Sequence, residues 1–341
     1  MTTQAAQQPQ GELGPEQLLQ MSLSFTPSRV LSSALQLDVF SHIAAGKRTA
    51  DDVASAAGAN ARAMRMLLDA LAGLQLLVKK NEGYELTPAS ENFLVRSSPT
   101  YLGTMMENDQ IWNSWTNLTE VVRTGKPVRL VEDQRVAEDF FPMLVRSLHI
   151  MNSEPARRLA EALGAGTSSN GLRVVDVACG SGVWGIAIAE ADRSARVTAQ
   201  DFPGVFNVTR EFVKRHNLED RFDYLPGDLK EVDFGEERYD LAILGNIVHS
   251  EGERSSRDLF KRLHKALAPG GRIAILEMVP NDERTGPPFA LLFALNMLVN
   301  TEEGGTYTLA EYTDWLKTAG FSRVETADIG SHSPAIIGIK E

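Results

Sequence analysis

Leu172-Arg-Val-Val-Asp-Val-Ala-Cys-Gly-Ser-Gly182 is the stretch of sequence that indicates the fold most directly. Its apolar part, Leu172 to Val177, predicts a buried strand of the parallel type, and a helix is expected after the glycines. Gly180 and Gly182 permit a sharp strand-to-helix turn and let a ligand lie against bare backbone N–H groups at the helix N-terminus. Asp176 is expected at the carboxyl end of the strand, the edge at which open α/β sheets bind ligands.

Two kinds of ligand are compatible with this turn, and a third interpretation involves no ligand. Residues Gly180 to Gly185 form a literal G-x-G-x-x-G, the fingerprint of dinucleotide binding. Asp176 favours a cationic ligand instead, because a carboxylate beside the loop repels a pyrophosphate and pairs with an ammonium or sulfonium group. The interpretation without a ligand is a glycine-rich turn in an unrelated α/β protein.

Length and composition bound the class of protein. The chain has 341 residues, enough for two domains, and its formal net charge of −11 disfavours nucleic acid and anionic membranes as partners. Cys179 is the only cysteine, so no disulfide within the chain is possible and a reducing compartment is expected. Residues 1–14 lack the regions of a signal peptide and are predicted to be a disordered tail. No apolar run reaches the ~18 residues of a membrane span, so we expect a cytoplasmic protein.

Residues 15–100 predict a helical module that ends in a small hairpin, which together make a winged helix. Its first two helices are expected at Pro15 to Phe25 and Ser28 to Leu37, separated at Thr26-Pro27. A winged helix raises DNA binding as an alternative, but residues 1–100 carry 8 Lys and Arg against 9 Asp and Glu, which is no basic footprint. A homodimer interface is therefore the better interpretation.

Residues 101–171 are predicted to be a mainly helical connector, with one helix from Ser153 to Leu163 and a linker from Gly164 to Gly171. Several bulky side chains in it are candidates for the wall of a pocket for a flat apolar substrate, although core packing is the better explanation for most of them. These candidates are Met105, Trp112, Trp115, Phe141 and His149.

Strands and helices alternate after the glycine turn, which predicts a mostly parallel, doubly wound sheet. The second strand ends at Asp201, 19 residues after Gly182, where a carboxylate would hold a ribose diol. The third strand ends in Pro-Gly-Asp228, and an acid there can accept a hydrogen bond from an adenine amino group. Two last strands, Phe321 to Ile329 and Ala335 to Ile339, predict a terminal antiparallel hairpin.

Five motifs together resemble those of the small-molecule O-methyltransferases related to caffeate and hydroxyindole methyltransferases. They are Asp176-x-x-x-Gly-x-Gly182, Asp201-Phe-Pro-Gly204, Gly227-Asp228, Asn246-Ile-Val-His249 and Pro269-Gly-Gly271. The resemblance implies an α/β fold, a Rossmann-like seven-stranded sheet that closes in an antiparallel hairpin, preceded by a mostly helical winged-helix domain. It also implies a dimerisation domain at 15–100, a connector at 101–171 that contributes to the substrate pocket, and a catalytic domain at 172–341.

The same resemblance implies that S-adenosylmethionine is the cofactor and that no metal takes part. The positions it implies for cofactor binding are Asp176, Cys179, Gly180, Gly182, Asp201, Phe202, Asp228, Leu229 and Asn246. His249 matches the family's general base, and Glu277, at the end of the fifth strand, matches the glutamate that orients it. Histidine suits this task because its ordinary pKa of about 6.5 lets it take up a hydroxyl proton near neutrality.

The apolar stretch from Phe289 to Val299 is expected to be a helix that covers the substrate. Its candidate pocket residues are Leu292, Asn296 and Met297, although core packing explains these nearly as well. The sequence departs from the family after Gly304-Gly305, where relatives often carry a second glutamate. Either Tyr307, Glu302 or Glu303 replaces that glutamate, or no residue does.

Together these patterns predict an S-adenosylmethionine-dependent methyltransferase that methylates a hydroxyl group of an apolar, aromatic small molecule and works as a homodimer. Three alternatives stay open. One is the same fold methylating nitrogen or carbon, or using the cofactor without methyl transfer. The second is a winged-helix regulator without enzymatic activity. The third is a nicotinamide oxidoreductase, which Asp176 and the terminal hairpin argue against.

Overall fold

The computed structural model describes residues 13–81, 83–107, 109–127 and 134–341, with residues 110 and 134–143 described by their backbone alone. The chain divides into two compact units, residues 1–108 and 109–341. Most of the predicted tail, residues 1–12, lies outside the described residues, and the domain bounds predicted at 100 and 171 stay predictions. None of the helices in the described ranges has the length and apolar character needed to cross a membrane.

The first unit is mainly helical and contains one small hairpin. Its helices are α1 (Pro15–Leu23), α2 (Phe25–Gln36), α3 (Val39–Ala44), α4 (Ala50–Ala57), α5 (Ala61–Gly73), α6 (Pro88–Phe93) and α7 (Gly103–Met106), and its strands are β1 (Leu77–Lys80) and β2 (Gly83–Leu86). The break between α1 and α2 falls at Ser24, so the predicted break at Thr26-Pro27 is wrong. Pro27 instead lies in the first turn of α2, where its missing N–H leaves no helical hydrogen bond unmade.

The hairpin and α5 give the first unit its winged-helix character. β1 and β2 pair antiparallel, with Leu77 opposite Leu86. Three apolar side chains at helical spacing on α5 are fully buried: Met64, Leu68 and Leu71. By contrast, large apolar side chains on α1 and at the start of α2 are about half exposed, namely Leu18, Leu19, Met21, Leu23 and Phe25.

The second unit holds the large sheet and the helices on its two faces. Its helices are α8 (Asp109–Thr116), α9 (Leu118–Thr124), α10 (Gln134–Ala162), α11 (Val183–Ala191), α12 (Phe206–Arg215), α13 (Val248–Ala266), α14 (Pro288–Asn300) and α15 (Leu309–Ala319). Its strands are β3 (Arg173–Val177), β4 (Arg196–Asp201), β5 (Phe222–Pro226), β6 (Tyr239–Gly245), β7 (Leu267–Leu276), β8 (Arg323–Ala327) and β9 (Ala335–Ile339).

The sheet has seven strands in the order β5-β4-β3-β6-β7-β9-β8, which confirms the predicted fold class. The first five strands in this order are parallel, whereas β9 runs antiparallel to β7 and to β8. The predicted terminal hairpin is therefore present, although β8 is shorter than Phe321 to Ile329. Val174 and Val175 on the central strand β3 are fully buried and belong to the two apolar clusters on opposite faces of the sheet.

Three segments differ from the prediction because packing decides their conformation. The helix expected from Ser153 to Leu163 is the last part of α10, a single helix of 29 residues. The predicted linker is a packed turn, because a Cβ atom at Gly166 would lie 1.9 Å from the carbonyl oxygen of Ala191. α13 begins at Val248, earlier than expected, and Gly252 interrupts it with a φ of 73°.

Candidate active site

The carboxyl ends of β3, β4, β5, β6 and β7 lie at one edge of the sheet, because these five strands are parallel. Most of the predicted site residues lie in the segments where these strands end. Asp176 lies in β3 and Asp201 ends β4, whereas the glycine turn follows β3, Asp228 follows β5 and Glu277 follows β7. His249 lies in the first turn of α13, after β6. The fold thus collects side chains that are far apart in the sequence.

The glycine turn has an alternating left-handed backbone. Ala178, Gly180 and Gly182 have φ angles of 50°, 55° and 75°. Its amides are largely satisfied within the protein: Ala178 N–H donates to Gln200 Oε1 (3.1 Å) and Gly180 N–H donates to Asp201 Oδ2 (2.8 Å). The amides of Cys179 and Gly182 donate to backbone carbonyls. The expectation that the glycines leave bare N–H groups for a ligand is therefore wrong for Gly180 and Gly182.

The third glycine of the G-x-G-x-x-G pattern is explained by packing. A Cβ atom at Gly185 would lie 2.8 Å from Val197 Cγ1 and 3.0 Å from Asp176 Oδ2. A glycine is therefore needed for α11 to approach the sheet closely, whatever ligand the turn holds. This weakens the dinucleotide interpretation of the pattern, because close helix–strand packing alone requires Gly185.

Asp176 is a completely buried carboxyl group beneath the turn. Its Oδ2 accepts a hydrogen bond from Gly185 N–H at 3.0 Å, while its Oδ1 has no partner among the described residues. Burial raises the pKa of Asp176 to about 8, the Gly185 hydrogen bond acts in the opposite direction, and the nearby Asp201 charge raises the pKa further. The isolated protein therefore holds this carboxyl largely neutral at pH 7, and a cation beside Oδ1 would favour its ionised form.

Asp201 links the end of β4 to the glycine turn. Its carboxylate accepts from Gly180 N–H through Oδ2 (2.8 Å) and from Phe202 N–H through Oδ1 (2.7 Å). Burial raises the pKa of Asp201 to about 6, and these two hydrogen bonds partly offset that rise. Each carboxylate oxygen keeps a lone pair for a further donor.

The same carboxyl edge of the sheet also carries Asp228, Leu229 and Asn246. Asp228 Oδ1 accepts from Lys230 N–H at 2.8 Å and so orders its own loop. Leu229 is buried in the apolar cluster on one face of the sheet. Asn246, at a φ of 60°, donates its N–H to the carbonyl of Leu276 at 2.9 Å and so ties the end of β6 to β7.

His249, which is partly buried, and Glu277, which is buried, form a hydrogen-bonded pair. His249 Nδ1 lies 2.7 Å from Glu277 Oε2, and the backbone N–H of His249 donates to Glu277 Oε1 at 3.2 Å. The side chains are 13% and 1% exposed. A carboxylate at Nδ1 selects the tautomer in which Nδ1 carries the hydrogen. Nε2 then carries the lone pair that can accept a proton. Phe293 from α14 lies edge-on to the imidazole, with ring centroids 4.9 Å apart.

The segment after α14 packs on the backbone of His249. Gly305 N–H donates to the His249 carbonyl at 2.8 Å. Among the candidates for a second glutamate, Glu303 packs against Gly252, and Tyr307 lies in an aromatic cluster with Tyr312 and Trp315. Burial raises the pKa of Tyr307 to about 12, so this hydroxyl is a hydrogen-bond donor rather than a base at neutral pH.

The candidate pocket residues on α8 and α14 meet in the second unit. Trp115 Nε1 donates to Asn296 Oδ1 at 3.1 Å, and that oxygen also accepts from Asn300 Nδ2 at 3.3 Å. Leu292 is 55% exposed, whereas Met297 is 6% exposed and buried. Trp112 is partly buried on α8. The contact between Trp115 and Asn296 therefore joins two of the predicted pocket residues directly.

The remaining pocket candidates lie elsewhere. Met105 is a partly buried residue of α7 in the first unit, and the side chain of Phe141 lies outside the described residues. His149, on α10, contacts the glycine turn: its Nδ1 lies 3.0 Å from Ser181 Oγ. Two open surface depressions of about 590 and 660 Å³ lie outside the predicted site and are lined largely by charged and polar side chains, which do not suit an apolar substrate.

Three residues at this edge were missed by the sequence interpretation. Gln200 binds the Ala178 N–H, and Thr209, on α12, donates its hydroxyl to the Gly180 carbonyl at 2.6 Å. Trp184, on α11, lies so close to Gly245 that a Cβ atom there would be 2.1 Å from its Nε1. No local motif marks these residues, because each acts on a segment that is distant in sequence.

Comparisons with known proteins agree with this architecture. Residues 151–322 match the model of the O-methyltransferase domain, and residues 19–96 match that of the O-methyltransferase dimerisation domain. The chain is 30% identical over 338 residues to the tetracenomycin polyketide synthesis 8-O-methyl transferase TcmO of Streptomyces glaucescens, covering 96% of this chain and 97% of that protein.

Two further relatives extend the comparison. A 3-hydroxy-5-methyl-1-naphthoate 3-O-methyltransferase of Streptomyces sahachiroi is 29% identical over 327 residues, covering 93% of this chain and 92% of that protein. The crystal structure of human N-acetylserotonin methyltransferase in complex with SAM superposes with a TM-score of 0.84 at 25% identity, covering 98% of this chain and 99% of that chain.

Proposed function

The chain belongs to the O-methyltransferase family, and we propose that it transfers the methyl group of S-adenosylmethionine to a hydroxyl group of an aromatic small molecule. The observation that carries this proposal is the pair of His249 and the buried Glu277, joined at 2.7 Å at the carboxyl edge of the sheet. A histidine oriented by a carboxylate is the arrangement of a general base. Both relatives named above from Streptomyces are O-methyltransferases by name, and the name of one gives a hydroxynaphthoate as its acceptor.

The residues around the glycine turn fit the cofactor. The buried Oδ1 of Asp176, which has no hydrogen-bond partner among the described residues, lies beside the turn and would take the cationic amine of the cofactor. Asp201 would accept the ribose hydroxyls with the lone pairs that Gly180 and Phe202 leave unused. Asp228 and Leu229 would hold the adenine, the first by a hydrogen bond and the second by apolar contact. The other positions proposed to line the cofactor are Cys179, Gly182 and Asn246.

His249 would act on the acceptor. When bound, S-adenosylmethionine supplies an electrophilic methyl group and leaves as S-adenosylhomocysteine. His249 Nε2 takes the acceptor's hydroxyl proton as the acceptor oxygen gains the methyl group, and Glu277 stabilises the positive charge that forms on the imidazole. Glu277 also accepts a hydrogen bond from the backbone N–H of His249, which holds the imidazole at a fixed position in the site.

The acceptor site is proposed to lie beside α14. Trp115 and Asn296 are joined by a hydrogen bond, Phe293 lies edge-on to His249, and Leu292 is exposed. Apolar and aromatic walls with a few polar groups suit a flat aromatic acceptor. The roles predicted for Trp112 and Met297 in this pocket are retained as part of the proposal.

A homodimer formed through the first unit is the proposed assembly. The match to a dimerisation domain over residues 19–96 supports it, as do the half-exposed apolar side chains of α1 and the start of α2. Light scattering on the purified protein tests it, since a monomer at micromolar concentration would contradict the proposed dimer. Replacing Leu19 with Glu is expected to shift the population towards monomer.

The function is tested first by calorimetric titration with S-adenosylhomocysteine and, separately, with NAD. We expect micromolar binding of the first and no heat from the second. Phenolic acceptors are then assayed with the native protein and with His249→Asn, which is expected to lose about 100-fold or more of the native kcat. An active protein whose rate is unchanged by His249→Asn would contradict the general-base mechanism and would favour catalysis by positioning alone.

A further inference from the structure

The long helix α10 crosses the glycine turn and contacts two of its residues. Val145 and His149 lie one helical turn apart on α10, so they share a face. A Cβ atom at Gly180 would lie 3.0 Å from Val145 Cγ1, and His149 Nδ1 lies 3.0 Å from Ser181 Oγ. The two side chains therefore cover neighbouring residues of the turn from outside the sheet.

His149 is held rigidly in this position. Its ring stacks on Phe212 of α12, with centroids 3.7 Å apart and an interplanar angle of 19°. The side chain is buried, as is Ser181 at 3% exposure, so the hydrogen bond between them is shielded from water. Burial lowers the pKa of His149 to about 4, assisted by the nearby His216 and Arg215 charges, so the ring is neutral at physiological pH.

Four residues thus hold the turn from three different elements. Gln200 and Asp201 bind its amides from β4, Thr209 binds the Gly180 carbonyl from α12, and His149 binds Ser181 from α10. The contact from α10 connects the turn to the helices that precede the sheet in the chain. Because the turn is largely left-handed, including the non-glycine Ala178, it needs such contacts to keep one conformation.

We propose that His149 is a positioning residue of the cofactor site, which holds Ser181 and so keeps the glycine turn in the conformation that binds the S-adenosyl group. This inference rests on the proposed function and assigns His149 a role other than the wall of the substrate pocket. It also makes the docking of α10 a condition for tight cofactor binding, since the turn loses one of its fixed contacts when α10 moves away.

The reactivity of the single cysteine measures how often the glycine turn opens, and this measurement needs no cofactor. Cys179 lies within the turn and is 4% exposed, and burial raises its thiol pKa well above the ordinary value, so the closed turn protects it from reagents. In ligand-free protein, its thiolate attacks an aromatic disulfide reagent, forms a mixed disulfide and releases a coloured thiolate. The rate of this reaction measures how often the turn opens.

Two variants remove the hydrogen bond and one preserves it. Ser181→Ala deletes the hydroxyl, His149→Phe keeps the stacked ring without a polar nitrogen, and His149→Asn places an amide nitrogen near the position of Nδ1. We expect the first two to raise the Cys179 labelling rate and the Kd for S-adenosylhomocysteine by about 3- to 10-fold, with His149→Asn close to native. The double variant is expected to be no worse than the single ones, because both partners are then apolar.

His264 is the matched control, because its ring packs edge-on against Phe321, 5.0 Å between centroids, away from the turn. His264→Phe should change neither labelling nor affinity. The proposal is overturned if His264→Phe raises labelling as much as His149→Phe, or if labelling and affinity stay native in Ser181→Ala. It is equally overturned if only the acceptor KM rises, which a pocket-wall role predicts. If the variants show the expected labelling pattern but the native protein binds no S-adenosylhomocysteine, the proposed function is refuted. The role of His149 in holding the glycine turn would still be supported.

Discussion

Glu277 holds His249 by both of its carboxylate oxygens: Oε2 lies 2.7 Å from the ring nitrogen Nδ1, and Oε1 accepts the backbone N–H of His249 at 3.2 Å. The first contact selects the tautomer and the second positions the main chain, so one buried carboxylate performs two tasks. Because Glu277 directly follows β7 and His249 follows β6, the pair also depends on the parallel pairing of these strands.

Glu277→Gln is expected to lower kcat by about 10- to 100-fold. The amide keeps the shape of the side chain, but it lacks the negative charge that stabilises a protonated imidazole, so the loss falls on the chemical step. Steady-state kinetics with a phenolic acceptor measures it. Glu251→Gln is the control, since Glu251 is also buried but bonds to Ser255 and lies near Lys230 rather than His249. Equal losses in the two variants would contradict the special role of Glu277.

Asp176→Asn is expected to flatten the pH dependence of stability in the ligand-free protein. With a folded-state pKa raised from 3.8 to about 8, Asp176 keeps a proton in the folded protein that the unfolded chain has lost. Its contribution to the free energy of unfolding is therefore complete below the unfolded pKa and is lost as pH rises through 8, by up to about 1.4 kcal/mol for each pH unit.

Urea unfolding of native protein and Asp176→Asn between pH 6.5 and 8 measures this difference. This pH range is chosen because Asp201, whose pKa is raised to about 6, changes the free energy of unfolding mainly at lower pH. The lowered pKa of His149, about 4, removes stability only as pH falls below its ordinary value of 6.5. If the two proteins show the same slope across the window, Asp176 is ionised in the folded state and the argument from burial is wrong.

Gly245→Ala is expected to destabilise the second unit by about 1–3 kcal/mol. Its new methyl group would lie 2.1 Å from Trp184 Nε1, and a buried indole ring has little freedom to move away. Combining it with Trp184→Leu should recover part of the loss, because the smaller side chain leaves room. Gly73→Ala serves as the control, since nothing lies within 4 Å of a Cβ atom there. A Gly245→Ala protein as stable as the control would contradict the close contact.

Trp115→Phe is expected to raise the KM for the acceptor several-fold, with the KM for S-adenosylmethionine unchanged. The substitution keeps an aromatic ring but removes the hydrogen bond to Asn296 Oδ1, which then has Asn300 Nδ2 as its remaining donor. Trp315→Phe, in the buried cluster with Tyr307 and Tyr312, should lower stability and leave both KM values near native. A rise in the cofactor KM alone would place Trp115 outside the acceptor pocket.

Much of the fold was predictable because it depends on short-range patterns. Leu172 to Val177 is apolar over consecutive positions, which predicts a strand buried on both faces, and the structure buries Val174 to Val177 completely. The alternation that follows predicts a parallel sheet, and the pairing of β3 with β4 and β6 confirms it. Since parallel strands share a carboxyl edge, the meeting of His249 and Glu277 also followed from the sequence.

The errors arose at proline and glycine residues, which are compatible with more than one local structure. Pro27 suggested a helix break, yet it lies in the first turn of α2, where proline is tolerated. The glycines of Gly164 to Gly171 suggested a linker, and the structure shows that Gly166 within it packs against Ala191. Glycine and proline indicate which backbone conformations are allowed at a position. The packing of neighbouring elements determines which of these conformations the folded chain adopts.

Local patterns of residues predict the order of strands and helices, the glycine turn, and the acids and the histidine at the strand ends, because these features depend on residues close together in the chain. The residues that surround them are known from the three-dimensional packing alone. It gave the amides of the turn to Gln200 and Asp201, set His149 against Ser181, and brought Trp184 against Gly245. Such contacts join residues from separate elements, and the packing of whole helices against the sheet determines them.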